Sequence, residues 1–255
     1  MEKPLISIVT AVYNGAMALE ETMLSVINQT YTNIEYIIID GKSTDETVDI
    51  IKKYENKIAY WISEPDKGIY NAMNKGLAKA NGDWVFFLNV GDCFESDSAI
   101  ENVPFQEARE DIAFIVGRVL VRMFNGIYPA RFEAVPFYQN PKKYKNMGFS
   151  HQGVFVKTQL VKYIGFDEHL KLCADYDMLV KLVGKGYTGL QVDILIAVVE
   201  GRDGASQRKA ILQFNETAEI CKLNNNSLYY YYRLFRAYLG LLKMNLFRIV
   251  NQLRG

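Results

Sequence analysis

The stretch ISIVTAVYNG at residues 6–15 decides the fold class, because a short apolar run gives way at once to polar residues. Two further runs do the same: one ends on Asp40, and WVFFL at residues 84–88 leads into Asn89-Val90-Gly91-Asp92. Such runs are typical of parallel strands that are buried on both faces. Ligands of these sheets bind at the carboxyl ends of the strands. The side chains predicted to converge there are Thr10, Tyr13, Asn14, Asp40, Asn89 and Asp92.

Helical patterns fill the gaps between these strands, so the first 92 residues predict a parallel α/β unit. One helix is predicted over Ala16 to Asn28, and another over Ile69 to Lys79, before the stop signal Asn81-Gly82. The segment Ser43-Thr44-Asp45-Glu46 predicts a capping box that starts a helix close behind Asp40.

After Asp92 the pattern changes to antiparallel organisation. Two runs, Ile112 to Met123 and Ile127 to Phe132, flank Asn125-Gly126 and predict a hairpin with a type I′ turn. Residues 134–149 have no clear period and are predicted to form a loop that can act as a lid. The later predicted elements are a strand at His151 to Val156, helices at Thr158 to Ile164 and Asp175 to Val183, and a strand at Ile194 to Glu200.

The composition, 49% hydrophobic and 23% charged over 255 residues, is ordinary for one enzyme-sized globular domain. The three cysteines lie far apart, so neither a disulfide framework nor a zinc site is predicted. The N-terminus does not look like a signal peptide, and no apolar run approaches the ~20 residues that span a bilayer. We therefore expect a cytoplasmic protein.

The formal net charge is zero, but the charge is unevenly distributed. Six basic and no acidic side chains follow Glu219, so this end carries +6 and the rest of the chain −6. From Tyr231 to Leu253 apolar residues recur at helical spacing, opposite the basic ones. Such a helix can lie in a membrane interface. The prediction is therefore a peripheral contact with the inner face of the cell membrane, or alternatively packing on the domain or in a homo-oligomer.

Six short motifs occur in a telling order: VTAVYNG (9–15), IDGKSTD (39–45), EPDKGIYNAMNKG (64–76), FLNVGD (87–92), SHQ (150–152) and ADYD (174–177). Together they resemble the inverting family-2 glycosyltransferases of the GT-A nucleotide-diphospho-sugar fold, in particular bacterial members that build capsule, O-antigen and exopolysaccharide. The resemblance implies an α/β fold with a mixed, mostly parallel central sheet and flanking helices over residues 1–222. Within it, 1–92 would bind the nucleotide and 93–222 the acceptor, and 223–255 would form the amphipathic tail.

Sugar transfer leaves negative charge on the departing diphosphate, which a divalent metal neutralises as a Lewis acid. Mg²⁺ or Mn²⁺ requires hard oxygen ligands. Family members carry Asp-x-Asp or Asp-Asp at this place, whereas this chain has Asn89-Val90-Gly91-Asp92. The resemblance implies Asp92 as the metal ligand and Asn89 as a neutral ribose contact. The structural alternative is that Asp92 caps a helix beginning near Asp97.

The resemblance also implies a nucleotide site in which the Asp40 carboxylate accepts the N3–H of uracil. Tyr13 would lie near the base, which Thr10 would contact through its backbone or hydroxyl. Lys67 would reach the base or the diphosphate. The alternative for Asp40 is that it caps the following helix, and the alternative for Lys67 is that it is only solvated. Asp66 would orient Lys67. The implied nucleotide contacts are Thr10, Tyr13, Asn14, Asp40, Asp66, Lys67 and Asn89.

Asp175 is the implied general base, because the family places this carboxylate at the start of a helix, as in Ala174-Asp175. One carboxylate that deprotonates the acceptor hydroxyl is enough for an inverting reaction. Asp177 lies about 200° around the same helix and would face elsewhere. The alternative to a catalytic role is that both carboxylates only stabilise the N-terminus of the helix. Further diphosphate or acceptor contacts are implied for His151, Gln152, Arg202 and Ser206, and His151 is also a candidate metal ligand. The alternatives are a structural histidine at position 151 and a solvated turn around Arg202 and Ser206.

The sequence thus predicts a metal-dependent, inverting hexosyltransferase that moves a sugar from a UDP-sugar donor to a saccharide hydroxyl in cell-surface polysaccharide synthesis. We expect the acceptor to be lipid-linked. The alternatives are a sugar nucleotidyltransferase and a non-catalytic sugar-nucleotide-binding protein. The first turn holds only Gly15, which argues against the G-x-G-x-x-G of a dinucleotide oxidoreductase. Nucleic-acid binding is not predicted, because the basic stretch is confined to one amphipathic helix.

Overall fold

The structure is a computed structural model that describes residues 3–132, 134, 137, 148–201, 209–222, 231 and 235. Its strands are β1 (Ile6–Val12), β2 (Ile34–Asp40), β3 (Tyr60–Ser63), β4 (Trp84–Phe87), β5 (Cys93–Phe94), β6 (Ile112–Met123), β7 (Gly126–Pro129), β8 (Val154–Lys157) and β9 (Thr188–Glu200). The helices described in full are α1 (Ala16–Ile27), α2 (Thr47–Lys53), α3 (Ile69–Lys79), α4 (Thr158–Ile164), α5 (Ala174–Gly184) and α6 (Ala210–Ile220).

These strands form one mixed sheet in the order β3-β2-β1-β4-β8-β6-β9-β5, with β7 paired to the end of β6. The first four strands are parallel, and Val12 pairs with Asp40, so the carboxyl ends of β1 and β2 lie side by side. β8 runs antiparallel to β4, which places the start of β8 beside the end of β4. The predicted change to antiparallel organisation is confirmed for β8 against β4 and β6, for β7 against β6 and for β5 against β9. It is wrong for β6 and β9, which pair in parallel.

Two apolar layers cover the faces of the sheet, because successive residues of a strand point to opposite sides. In β2, Ile37 and Ile39 belong to one layer and Ile38 to the other. The helix α3 packs Met73 and Leu77 into the first of these layers. Since α3 follows a parallel strand, its first turn lies at the carboxyl edge of the sheet.

The capping box predicted behind Asp40 is wrong. The helix α2 begins only at Thr47, and its N-cap residue, Glu46, makes no side-chain capping bond. The neighbouring side chains instead accept N–H groups at the start of α1: Ser43 from Asn14 (2.8 Å), Thr47 from Gly15 (2.9 Å) and Asp45 from Ala16 (3.1 Å). The first amides of a helix have no partner within it. Here the loop after β2 and the first residue of α2 supply partners for three successive amides that lead into α1.

The structure corrects three further predictions. The β6–β7 hairpin is confirmed, but its turn is not type I′, because neither Phe124 nor Asn125 has the positive φ that this turn requires. Residues 97–102 form turns, so the helix proposed near Asp97 is wrong and Asp92 does not cap one. The strand predicted from His151 starts at Val154, after a 3₁₀ turn. The short strand β3 had not been predicted.

Two predicted regions fall mostly outside the described residues. Of the tail 223–255, only Tyr231 and Phe235 are described; both are helical and exposed. Of the predicted lid, 134–149, four positions are described. Within the part of the chain that the structure describes, no helix is both long and apolar enough to cross a membrane.

Candidate active site

The carboxylate of Asp175 accepts hydrogen bonds from two elements that are distant in the sequence. Asp175 is the second residue of α5 and is 9% exposed. The hydroxyl of Tyr70, in the first turn of α3, donates to its Oδ1 at 3.1 Å. The Nδ1 atom of His151 lies 2.7 Å from its Oδ2. The structure therefore joins two predicted site residues, Asp175 and His151, to a tyrosine that had not been singled out.

Close packing of the backbone holds His151 in place. It begins the 3₁₀ turn His151–Gly153, which leads into β8. A Cβ atom on Gly153 would lie 2.7 Å from the carbonyl oxygen of Gly117, so only glycine lets this turn rest directly on β6. Because the start of β8 lies beside the end of β4, the imidazole is near the turn that carries Asp92.

Attraction between His151 and Asp175 outweighs the cost of burying them. Burial raises the pKa of the Asp175 carboxyl, but the charge and the hydrogen bond of His151 bring it below its usual value. Burial lowers the pKa of His151, whereas the charge and hydrogen bond of Asp175 and the charge of Asp92 raise it above its usual value. Each partner thus favours the charged form of the other. Asp177 faces elsewhere and pairs with Lys181 at 2.6 Å.

The side chain of Asp92 is buried at the end of the turn after β4. Its Oδ1 accepts the backbone N–H of Glu200, the last residue of β9, at 2.8 Å. Burial raises the pKa of the Asp92 carboxyl to about 6, against the opposing effects of that hydrogen bond and of the charge on His151. A carboxylate that is this costly to ionise is stabilised by a nearby cation.

The donor atoms at this turn fit a hard divalent cation in part. The Oδ1 atom of Asn89 is buried and has no hydrogen-bond partner among the described residues. The Asp92 carboxylate accepts the Glu200 amide at Oδ1 and a hydrogen bond from the side chain of Asn89. Oxygen donors suit Mg²⁺ and Mn²⁺. The described residues contain no cluster of three or more His, Cys, Asp or Glu side chains that could hold a metal. Most ligands would therefore be water and substrate phosphate, as is usual for magnesium.

Asp40 is fully buried at the end of β2. Its carboxylate accepts the N–H of Ser43 at 3.0 Å and the hydroxyl groups of both Ser43 and Ser63. These bonds fix the start of the loop that caps α1. The carboxylate is therefore not a cap of α2, which was the structural alternative to nucleotide binding.

The three predicted contacts at the end of β1 are placed differently from one another. Thr10 is fully buried, and its hydroxyl bonds to that of Tyr36 at 3.1 Å. Of the two contacts predicted between Thr10 and the base, only the one through its backbone therefore remains. Asn14 has a positive φ, and its Oδ1 accepts the N–H of Thr44 at 2.8 Å. The ring of Tyr13 is 64% exposed, so it is available to a ligand.

Asp66 lies beside the loops at the ends of β1 and β2. A Cβ atom on Gly41 would collide with the Asp66 carboxylate and lie 3.4 Å from the Tyr13 ring, so these three residues are neighbours. The Oδ1 of Asp66 accepts the N–H of Gly68 at 2.7 Å, so Asp66 shapes the loop that carries the exposed Lys67. The Lys67 ammonium is thereby presented near this edge.

Of the remaining predicted contacts, Gln152 accepts a hydrogen bond from the hydroxyl of Ser150 and lies next to His151. Arg202 and Ser206 lie outside the described residues.

The sequence profile described as Glycosyl transferase family 2 matches residues 7–164. The chain belongs to this family. The matched region includes the family-2 motifs with Asp40, Asp92 and His151 and stops at the end of α4, before Asp175. The predicted family is confirmed.

Curated relatives support the same membership. An uncharacterized glycosyltransferase of Mycobacterium tuberculosis is 33% identical over 181 residues, which cover 70% of this chain and 68% of the relative. A PGL/p-HBAD biosynthesis glycosyltransferase of Mycobacterium bovis is 28% identical over 188 residues, which cover 71% and 70%.

Solved structures confirm the predicted GT-A fold of this family-2 member. Residues 1–349 of S. aureus TarS in complex with UDP-GlcNAc match with a TM-score of 0.64 and 19% identity, over 93% of this chain and 70% of that one. The mannosyltransferase PcManGT from Pyrobaculum calidifontis, in complex with GDP-Man and Mn²⁺, matches with a TM-score of 0.65 and 15% identity, over 96% and 76%.

Sequence reasoning missed three groups of this family-2 site. The first is Tyr70, which lies inside the 64–76 motif and is buried in a stack with Phe166. The signal for it was that the hydroxyl of a buried tyrosine usually has a hydrogen-bond partner. The other two are Ser43 and Ser63, whose hydroxyl groups donate to Asp40, because a buried carboxylate needs hydrogen-bond donors. Nothing in the sequence indicates which serines provide them.

Proposed function

We propose that this protein is an inverting glycosyltransferase, which transfers a sugar from a nucleoside-diphosphate donor to a hydroxyl group of a saccharide acceptor. The observation that carries the proposal is the buried Asp175 carboxylate, which is ionised beside His151 near Asp92. Membership of family 2 supports the reaction class.

In the proposed reaction the acceptor oxygen bonds to the anomeric carbon as the bond from that carbon to the diphosphate breaks. The hydroxyl proton passes to the Asp175 carboxylate, and the bonding electrons leave with the diphosphate. A single displacement inverts the configuration and needs only one base. His151 and Tyr70 suit Asp175 to this role, because they fix its orientation and keep it deprotonated at neutral pH.

For the donor we propose a UDP-sugar. We assign the Asp40 carboxylate as the acceptor for the N3–H of uracil. Because Asp40 is fully buried and accepts Ser43 and Ser63, the base would take the place of one of these serine hydroxyls. The complex of TarS with UDP-GlcNAc supports this choice by analogy. Tyr13, Asp66 and Lys67 would surround the base and the diphosphate from the adjoining loops.

For the cofactor we propose Mg²⁺ or Mn²⁺, with Asp92 as the protein ligand and Asn89 beside it on the ribose. The metal would supply Lewis-acid stabilisation of the leaving diphosphate. The unpartnered Asn89 oxygen, the raised pKa of Asp92 and the Mn²⁺ in the PcManGT complex support this assignment.

We further propose that the acceptor is a lipid-linked saccharide used in cell-surface polysaccharide synthesis, and that the protein works in the cytoplasm against the inner face of the membrane. The support is the +6 charge of the chain after Glu219 and the Mycobacterium bovis relative named for PGL/p-HBAD biosynthesis. A juxtamembrane basic segment gains about 1 kcal/mol per cation near an anionic leaflet.

The proposal is tested by incubating the full chain with UDP-, GDP- and dTDP-sugars, with metal and with chelator, and identifying products by mass spectrometry. Transfer or slow hydrolysis of one UDP-sugar, with release of UDP, is expected. Release of pyrophosphate from a nucleoside triphosphate and a sugar 1-phosphate would identify a nucleotidyltransferase instead. Tight binding of nucleotide sugars without turnover of any would identify a non-catalytic binding protein.

A further inference from the structure

The carboxylate of Glu216 is buried at the junction of α6 and the segment that leads into α5. Glu216 is 6% exposed. It accepts three consecutive backbone N–H groups: that of Lys171 at 2.7 Å, of Leu172 at 2.9 Å and of Cys173 at 3.0 Å. Cys173 is the N-cap residue of α5, and its own side chain makes no capping bond.

Burying a carboxylate is costly unless hydrogen bonds compensate it, and bonds from N–H groups to a charged acceptor are strong. Three such bonds fix the backbone immediately before α5. Asp175 follows Cys173 by two residues, so the position of its carboxylate depends on this anchor.

The same segment is held from the opposite side by α3. The side chain of Asn74 donates to the carbonyl of Phe166 and accepts its N–H, both at 2.9 Å. Glu168 accepts Asn74 at 2.9 Å and Asn71 at 3.0 Å. Because α3 also carries Tyr70, residues 166–173 are fixed between the helix that orients one oxygen of Asp175 and the helix that carries Glu216.

We propose that Glu216 is a positioning residue for Asp175: it fixes the start of α5 so that the carboxylate meets His151 and Tyr70. The catalytic consequence rests on the proposed function, but the geometric one does not. A misplacement of about 1 Å at a reacting group can cost ~10²-fold in rate. A substitution at Glu216 can therefore lower the rate strongly even though Glu216 does not touch the reacting atoms.

The decisive variant is Glu216→Gln, which keeps the shape but turns an NH₂ group toward at least one N–H donor. Glu219→Gln is the matched control, since Glu219 is an exposed acid on the same helix. Glu216→Asp keeps the charge on a shorter side chain and provides a second variant if the first does not fold. The readouts are kcat, the Kd for UDP, the melting temperature and the NMR signals of the chain's two histidines, His151 and His169.

We expect Glu216→Gln to lower kcat by roughly 10- to 100-fold, to leave the Kd for UDP within about twofold, and to shift the His151 signals but not those of the exposed His169. Glu216→Asp should show smaller changes of the same kind, and Glu219→Gln none. If Glu216→Gln lowered only the melting temperature, with kcat and the His151 signals unchanged, the positioning role would be wrong. If the wild-type protein transferred no sugar, the proposed function would fail, and the His151 signals would still decide the role of Glu216.

Discussion

The Nδ1 atom of His151 lies 2.7 Å from the Oδ2 atom of Asp175. One residue comes from the turn before β8 and the other from the start of α5, so the contact exists only when the sheet and the helix are assembled. It keeps the proposed base ionised and limits the directions from which an acceptor hydroxyl can approach it. The predictions below start from this pair.

Replacing Asp175 by Asn should lower kcat by roughly 10²–10⁴, the usual contribution of a general base, with little change in the Kd for UDP. Asp177→Asn is the matched control, because Asp177 is on the same helix but pairs with Lys181. Steady-state kinetics and calorimetry with UDP measure both effects. If Asp177→Asn were the more damaging change, the base would have been assigned to the wrong carboxylate.

Replacing His151 by Asn should destabilise the protein most near pH 5–6. The lowered pKa of Asp175 contributes stability above its usual value near 3.8, and the raised pKa of His151 contributes stability below its usual value near 6.5. The contribution of Asp175 is lost as pH falls, and that of His151 is lost as pH rises through its raised pKa. We expect a melting-temperature difference of a few degrees at pH 5–6 that shrinks toward pH 9, whereas His169→Asn, at an exposed site, has little effect. A difference that grew with pH would contradict the ion pair.

Asp92→Asn should remove the effect of Mn²⁺ on UDP binding, because the amide can still accept the Glu200 N–H but is a weak metal ligand. Burial raises the pKa of Asp92 to about 6, so its ionised form costs stability at higher pH when no metal is present. With chelator, the variant should therefore melt above the wild type at pH 8 and at the same temperature at pH 4. The exposed Asp97→Asn is the control, and an undiminished metal response in Asp92→Asn would exclude Asp92 as the ligand.

Asp45→Ala should lower the melting temperature by a few degrees, because Asp45 accepts the N–H of Ala16 at the start of α1 and that of Thr47. Glu46→Ala should have little effect, since Glu46 makes no capping bond. Thermal unfolding monitored by circular dichroism tells the two apart. The reverse order of effects would restore the capping box at Ser43 and Glu46.

Anionic lipid vesicles should sediment the full chain but not a chain that ends at Asn226, and high salt should weaken the binding because surface charges are screened. Neutral vesicles are the control. If neither chain bound and the shortened one lost an oligomeric state, the apolar face of the tail would be a subunit interface and the membrane proposal would be wrong.

The strand ends could be predicted from the sequence because their chemistry is local. Asp40 and Asp92 follow short apolar runs, and parallel strands place such residues at one edge. The helices Ile69–Lys79 and Thr158–Ile164 match their predicted bounds, since clear stop and start signals flank them.

Contacts between distant segments could not be predicted in this way. Asp45 accepts the N–H of Thr47 at the start of α2, which is a local contact, and also that of Ala16 at the start of α1, which precedes it by a whole strand. A local capping rule cannot find the second bond. Glu216 appears in the sequence as one acid on an amphipathic helix, and only the packing of α6 shows that its carboxylate is buried. Such side chains are determined by which elements meet, and periodicity does not contain that information.

The turn at residues 89–92 has a consequence for how the chain folds. It joins β4, in the middle of the sheet, to β5, which pairs with β9 at the far edge, and Asp92 contacts Glu200 across 108 residues of sequence. Contacts so distant in sequence form slowly, because a large loop must close first. We therefore expect the Asp92 end of the site to be completed only after β9, the last strand, has joined the sheet. Because β5 and β9 connect them, residues 1–92 and 93–222 should unfold in one cooperative transition. A nascent chain released before β9 would have its nucleotide strands but no finished site.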